Sequence, residues 1–295
     1  MIDTKLYSLL KVAETGSFTR AAELLSMTQP AVSHHIRALE SDLNVRIFDR
    51  VSSDLHITHE GEIVIKYARR MLAMYNNLHR ELETEKNQIA SLTVGVTHTA
   101  ESSAIAEALA KYAQIHDGVS IKIITEPLAK LHDMLCNYEL DFAVVEGKMN
   151  DQGLHYMMLD TDSLVLAVSP EHRLAKKNMV TIQELKKEKL ILRLPDSNTR
   201  NLFVASLESH NLSIDDFDVL LQINNIATIK DLIRRDIGVS VLAKSACLDE
   251  LKKKKIVCLP IENLSMTREI NIVYTQDFEH LSILRDIVHE YNEMR

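Results

Sequence analysis

Secreted, membrane-bound and catalytic proteins carry marks that this chain lacks. It has three cysteines, Cys136, Cys247 and Cys258, an odd number without metal-like spacing. Such usage suits a reducing compartment and apolar interiors rather than a disulfide framework. No basic segment followed by an apolar run opens the sequence, and no stretch approaches the length of a membrane span. The cytoplasm is the expected location. Nucleophile elbow, phosphate-cradling glycine loop and metal motif are all absent from the sequence. Histidine is plentiful, with 13 residues, but His34-His35 and His56 to His59 do not make a ligand set, and His98 and His155 have ordinary structural readings. No enzyme, cofactor or metal is expected.

Positive charge is scarce as well. Lys and Arg number 34 against 42 Asp and Glu, a formal charge of -8, which excludes a wholly basic nucleic-acid coat. Residues 1–90 also hold no excess of cations, so any DNA contact there needs its positive groups on one face. Non-specific binding should be modest, because phosphate neutralisation supplies most of it. What the chain does have is length and apolar content. Its 295 residues, 46% of them hydrophobic, accommodate two or three domains with real cores.

Two short helical patterns lie between Ser17 and Arg50, each with its own start signal. Leu6, Leu9, Leu10, Val12 and Ala13 form a preceding apolar stripe that Gly16 ends. Ser17 or Phe18 opens the next unit, where Ala21 and Ala22 permit close helix contact. Thr28 is placed to cap a further helix, with Pro30 in the first turn where its missing donor costs nothing. Val32, Ile36 and Leu39 then recur at inward-facing spacing. The opposite face carries Gln29, Ser33 and Arg37, four residues apart, with His34 beside them. Glutamine can pair with adenine, serine can donate or accept, and arginine can read guanine or hold a phosphate. This is the layout of a helix-turn-helix, whose second helix enters a major groove; the bland alternative is an ordinary exposed face. Val45, Ile47 and Phe48, then Leu55 and Ile57, predict two short strands forming a wing, from which Arg46 and Arg50 can reach the DNA backbone.

Thr58 is placed to cap a long helix running to about Gln88. Its stripe of Ile63, Tyr67, Ala68, Met71, Leu72, Tyr75, Leu78 and Leu82 spans more than six turns. A second copy of the same helix would bury that stripe and supply two reading heads; folding back on its own chain is the alternative.

The Gly16-Ser17-Phe18 to Gln29-Pro30-Ala31 pattern resembles the LysR-type transcriptional regulators. So do Ser33, Ile36, Arg37, Leu39-Glu40, Phe48, Arg50 and the run from Thr58 to Gly61. His34-His35 stands where the family often has Arg-Gln, which removes a permanent positive charge. The resemblance covers the full length. It implies α/β architecture with an N-terminal α-rich winged helix-turn-helix and a C-terminal two-lobe, periplasmic-binding-protein-like domain. The expected boundaries are 1–58 for the DNA-binding domain, 59–90 for the linker and dimerisation helix, and 91–295 for the effector-binding domain. Its lobe I would comprise 91–162 and 267–295, and lobe II 163–266. The implied partners are double-stranded operator DNA, a second copy or a tetramer of the chain, a small-molecule effector and RNA polymerase. The implied DNA-binding residues are Gln29, Pro30, Ser33, His34, Arg37 and Arg50.

From residue 91 onward, apolar strand patterns alternate with helical ones. Strands are predicted at 92–96, 119–124, 141–145, 164–168, 190–192, 219–223, 238–242, 256–259 and 270–274. That alternation argues for a parallel-rich α/β sheet. Strand ends that feed helix N-termini offer donors to an anion. Thr97-His98-Thr99 with Ser102 meets that description in one half. Arg193 with Ser197-Asn198-Thr199-Arg200 meets it in the other, although caps and turns without a ligand would read the same way. Glu146 ends a segment similar to the Val-Glu-Gly strand end of relatives that regulate sulfur and nitrogen metabolism. Residues 193–200 resemble the family's Arg-Glu-x-Gly-Ser-Gly-Thr-Arg pocket segment, with Leu194 in place of Glu and Asn198 in place of the second Gly. Asn224-Asn225 falls where the family lines the far wall, and Asn225 is expected there. The combined expectation is a regulator sensing a small anionic or amino-acid-like metabolite. The competing one is a small-molecule-binding assembly module without sequence-specific DNA recognition.

Overall fold

The computed structural model describes residues 3–51, 54–87, 90–101, 104–278 and 280–294. The chain divides into two compact units, Met1–Ala90 with Cys136–Glu139, and Ser91–Leu135 with Leu140–Arg295.

In the first unit, helices α1 (Thr4–Thr15), α2 (Phe18–Leu24) and α3 (Gln29–Leu43) precede a hairpin of β1 (Phe48–Val51) and β2 (Asp54–Ile57), followed by α4 (His59–Asn87). Local chemistry sets each boundary. Gly16 takes φ 62° to end α1, Ser17 accepts from the Arg20 N–H to start α2, and Thr28 accepts from the Ala31 N–H to start α3. Leu9, Val12, Ala21, Ala22, Val32 and Ile36 close one core together with Ile47, Ile65 and Ala68. The buried Ser8 hydroxyl lies 2.8 Å from His35 Nδ1, which ties α1 to the inner side of α3.

The first wing strand starts at Phe48 rather than at Val45, because the preceding residues serve the end of α3. The Val45 N–H donates to the Glu40 carbonyl, and Glu40 Oε1 accepts from the N–H groups of Ile47 (2.8 Å) and Phe48 (3.3 Å). Thr58 accepts from the Gly61 N–H at 2.9 Å and so caps α4. A Cβ on Gly61 would sit 2.2 Å from the Ile47 carbonyl oxygen. Alanine in a helix is ordinarily better than glycine by about 1 kcal/mol. Here Gly61→Ala should instead destabilise by about 1–3 kcal/mol through overpacking, seen as an earlier urea midpoint of the full chain; an equal or later midpoint would show that the α4–wing contact is loose.

The second unit runs through β3 (Ala90–Val96), α5 (His98–Glu101), α6 (Ile105–Ile115), β4 (Val119–Thr125), α7 (Leu128–Cys136) and β5 (Phe142–Glu146) to the long β6 (Leu154–Val168). It continues with α8 (Ile182–Leu185), β7 (Lys189–Leu192), α9 (Asn198–Glu208), β8 (Asp218–Gln222), α10 (Ile226–Arg234), β9 (Ser240–Ala243) and α11 (Leu248–Lys252). The last elements are β10 (Val257–Leu259), β11 (Thr267–Thr275) and α12 (Leu281–Glu293).

Its main sheet has the order β10-β6-β11-β5-β3-β4, with β9 also paired to β6. The sheet is mixed rather than parallel-rich. Strands β3 and β5 run parallel, as do β7 and β8 in a separate pair, whereas β6 is antiparallel to β9, β10 and β11. The cause is β6 itself. Nine of its first ten residues pair with β11, from Leu154↔Thr275 to Ser163↔Thr267 with Leu159 skipped at a bulge, and its last five pair with β9 and β10. The strand therefore leaves one core and enters another, and β11 returns beside it. Val94, Val96, Leu109, Phe142, Ile272, Leu284 and Ile287 form the first core, so the C-terminal α12 packs with the strands that open the unit. Leu166, Leu190, Leu192, Phe203, Leu207 and Val241 belong to the second.

Candidate functional site

The α3 surface comes first. Gln29, Pro30, His34 and Arg37 are exposed and Ser33 is half-buried, while Val32 and Ile36 lock the opposite side into the core. Gln29 Nε2 donates to Ser33 Oγ at 2.8 Å, the i,i+4 spacing of one helix face. Arg50 lies on β1 opposite Leu55, and its side chain is outside the described set. His35, next to the outward residues, is turned toward Ser8 and is not part of this face.

In the second unit, the carboxyl ends of several strands converge on a cleft of about 310 Å³, part of it open to solvent. Thr97, His98 and Thr99 follow β3, Glu126 follows β4, Glu146 ends β5, Arg193 follows β7 and Asn224 comes shortly after β8. Ligands of open α/β sheets bind outside such strand ends. Arg193 is 3% exposed, and its Nε and Nη1 have no hydrogen-bond partner among the described residues. A buried donor without an acceptor is costly, so these two atoms mark where an acceptor belongs. Burial pulls the guanidinium pKa below its ordinary value, the charges of Glu146 and Asp196 oppose that shift, and Arg268 adds to it. Thr97 Oγ donates toward both Glu146 oxygens, at 2.8 and 2.9 Å. Glu146 is likewise 3% exposed, so the carboxylate is held rigid beside Arg193.

Ser197 is the N-cap of α9, yet its side chain makes no capping bond. The first N–H groups of this eleven-residue helix start at the cleft, where their partial positive charge favours an anion. Asn198 Nδ2 donates to the Glu146 carbonyl at 3.3 Å, joining the two walls. Thr199 is buried beneath the lining, 3.4 Å from both Thr99 Oγ and the Nη1 of Arg268. Arg268, on β11, brings a second buried guanidinium under the cleft, its Nη2 3.6 Å from Asp162.

Thr97, His98, Thr99, Glu146, Arg193, Ser197 and Asn198 thus share one lining, as the strand-end argument expects. Ser102 lies outside the described residues. Asn225 is not among these lining residues; its Oδ1 accepts from the Thr228 N–H at 2.9 Å and caps α10. Asn224 takes that place, accepting from the Leu194 N–H and donating to Asp196, each at 3.2 Å. Sequence reasoning also missed Glu126, which lies two residues past the strand predicted at 119–124 and directly follows β4. Arg268 carried no such signal; only the register of β11 brings it here.

Comparison with known proteins gives consistent matches. A family model described as "LysR substrate binding domain" matches residues 86–293, and one described as "Bacterial regulatory helix-turn-helix protein, lysR family" matches residues 4–62. A "Probable RuBisCO transcriptional regulator" of Phaeodactylum tricornutum (strain CCAP 1055/1) is 29% identical over 273 residues, covering 91% of this chain and 89% of its own. One of Thalassiosira pseudonana is 28% identical, covering 96% and 93%. Among solved structures, CbnR, titled a LysR family transcriptional regulator, superposes with a TM-score of 0.71 at 15% identity over 99% of both chains. Full-length CbnR complexed with its target DNA gives 0.70 at 16% identity over 100% of both chains.

Proposed function

Because this chain belongs to the LysR family of transcriptional regulators, built from a DNA-binding helix-turn-helix and a ligand-binding domain, we propose that it reads its operator through the outer face of α3 and is switched by a small anionic or amino-acid-like metabolite held in the β-strand-end cleft. The observation that carries the effector half is Arg193, a buried guanidinium with unused donors at the N-terminus of α9. The DNA half rests on Gln29, Pro30, Ser33, His34 and Arg37 standing on the outer side of a helix whose inner side is core, with Arg50 added from the wing. Thr97, His98, Thr99, Glu146, Ser197 and Asn198 complete the effector set, with Thr199 buried against Thr99.

Domain limits of 1–58, 59–90 and 91–295 suit this reading. Two lobes, 91–162 with 267–295 and 163–266, are supported by the separate cores that β6 and β11 join. A ligand acts as a switch only if it binds the lobe arrangements unequally. RNA polymerase is the partner through which the change reaches transcription. No helix among the described residues is long and apolar enough to cross a membrane.

A second copy of the chain is the proposed occupant of α4. Ala68, read with the apolar stripe, packs into its own core along with Ile65. Ile63, Tyr67, Met71, Met74, Leu78 and Leu82 remain exposed at helical spacing. Asp at Met71 and Leu78 together should convert dimer to monomer in sedimentation velocity. Operator affinity should then fall about 100-fold or more, because the second head is no longer held at high effective concentration. Sedimentation as an intact dimer would place the interface elsewhere.

Retention of random genomic fragments at physiological salt, followed by sequencing, tests the regulator reading. Enrichment of a short inverted repeat supports it. Uniform weak retention by folded, dimeric protein would favour an assembly module instead.

A further inference from the structure

The charge balance of the cleft restricts what the proposed anion site accepts. Arg193 is the one arginine or lysine among the lining residues, against three carboxylates, Glu126, Glu146 and Asp196. Arg268 is not among the lining residues, and its pairing with Asp162 at 3.6 Å adds no net charge, although its Nε and Nη2 also lack hydrogen-bond partners among the described residues. Glu146 is already matched, being held by Thr97 and set against the charge of Arg193. Glu126 and Asp196 are then in excess. Asp196 accepts from the neutral amide of Asn224 at 3.2 Å and otherwise only shares with Glu146 the single charge of Arg193. Glu126 is half-buried at the junction of β4 and α7, its backbone fixed by donation to the Val96 carbonyl at 3.1 Å. A ligand with two or more negative charges would satisfy Arg193 but add to a lining already rich in acid, where half-buried Glu126 repels it most and exposed Asp196 is screened by solvent.

We propose that the effector is a zwitterion of α-amino-acid type. Its carboxylate accepts from Arg193 and the N-terminus of α9, and its ammonium faces Glu126 and Asp196. This narrows the reading above and rests on it. The anion half satisfies the orphaned guanidinium donors, and the cation half offsets the ligand's own charge, so that no net negative charge is added to an acidic lining.

Calorimetric titration of the full chain with matched pairs provides the test. The probes are the standard α-amino acids, their des-amino carboxylic acids, succinate and inorganic phosphate. At least one amino acid should bind, with its des-amino partner weaker by about tenfold or more, the size of one lost charged hydrogen bond. Glu126→Gln should narrow that gap mainly by weakening the amino acid, and Arg193→Met should remove binding of both. Equal or tighter binding of the des-amino acid, of succinate or of phosphate would overturn the zwitterion while leaving the anion site in place. Tighter amino-acid binding by Glu126→Gln would overturn it too. If no probe binds, both the zwitterion and the anion site fail.

Discussion

Alanine at Gln29, Ser33 and Arg37 together removes the preference for operator over random DNA, while the protein still dimerises and melts at the wild-type temperature. A well-placed bidentate base contact discriminates by about 1–3 kcal/mol. Losing the contacts of Gln29 and Arg37 should therefore reduce specific binding by roughly 100- to 10,000-fold. Gln29 and Arg37 are exposed and Ser33 is half-buried, so their removal touches little of the core; substitutions of this kind usually change stability by less than about 0.5 kcal/mol. Fluorescence anisotropy on operator and scrambled duplexes at two salt concentrations checks the outcome. If Arg37 holds a phosphate rather than a base, Arg37→Ala alone will weaken both duplexes alike and lower the salt slope by about one. An unchanged operator-to-random ratio in the triple variant would remove α3 from the reading role.

Arg193→Met should abolish the response to effector. Truncating one partner of a buried charged contact costs about 2–5 kcal/mol, so affinity should fall at least roughly 30-fold. Lysine should not rescue it, because the α9 site presents a carboxylate to a planar fork and an ammonium cannot reproduce that geometry. Stability of the ligand-free protein is a separate matter. The variant leaves Glu146 buried with Thr97 alone, which destabilises. Loss of two unsatisfied donors offsets part of that cost. Adding Glu146→Gln removes the stranded charge, so the double variant should regain melting temperature without regaining ligand binding. Recovery of both would mean that Arg193 serves the fold and not the ligand.

The first unit was the more legible half of the sequence, and the reason is distance along the chain. The capping contacts of Gly16, Ser17, Thr28 and Thr58 all lie within four residues along the chain, so composition announces them. The start of β1 escaped because Glu40 reaches seven and eight residues ahead to bind Ile47 and Phe48. In the second unit, the first ten residues of β6 carry His155, Asp160 and Asp162, which break the apolar pattern of a strand. Asp162 is nonetheless buried, because Ser245 donates to it from 83 residues away. That crossing is also why the sheet is mixed. The cleft was legible wherever a strand end and a helix start were adjacent, as at Thr97 and Ser197. It was illegible where a residue arrives by long-range register, as Arg268 does, or where two neighbours compete for one role, as Asn224 and Asn225 do.

Coupling between the cleft and the operator is the central claim, and DNA geometry with and without ligand tests it most directly. With an operator recovered from genomic fragments and an amino acid found by calorimetry, affinity, DNA bend angle and transcription in vitro would be compared at zero and saturating ligand. A change in at least one of them in the wild type, absent in Arg193→Met, is the expected result. Identical affinity, bend and transcription at saturation would contradict effector control.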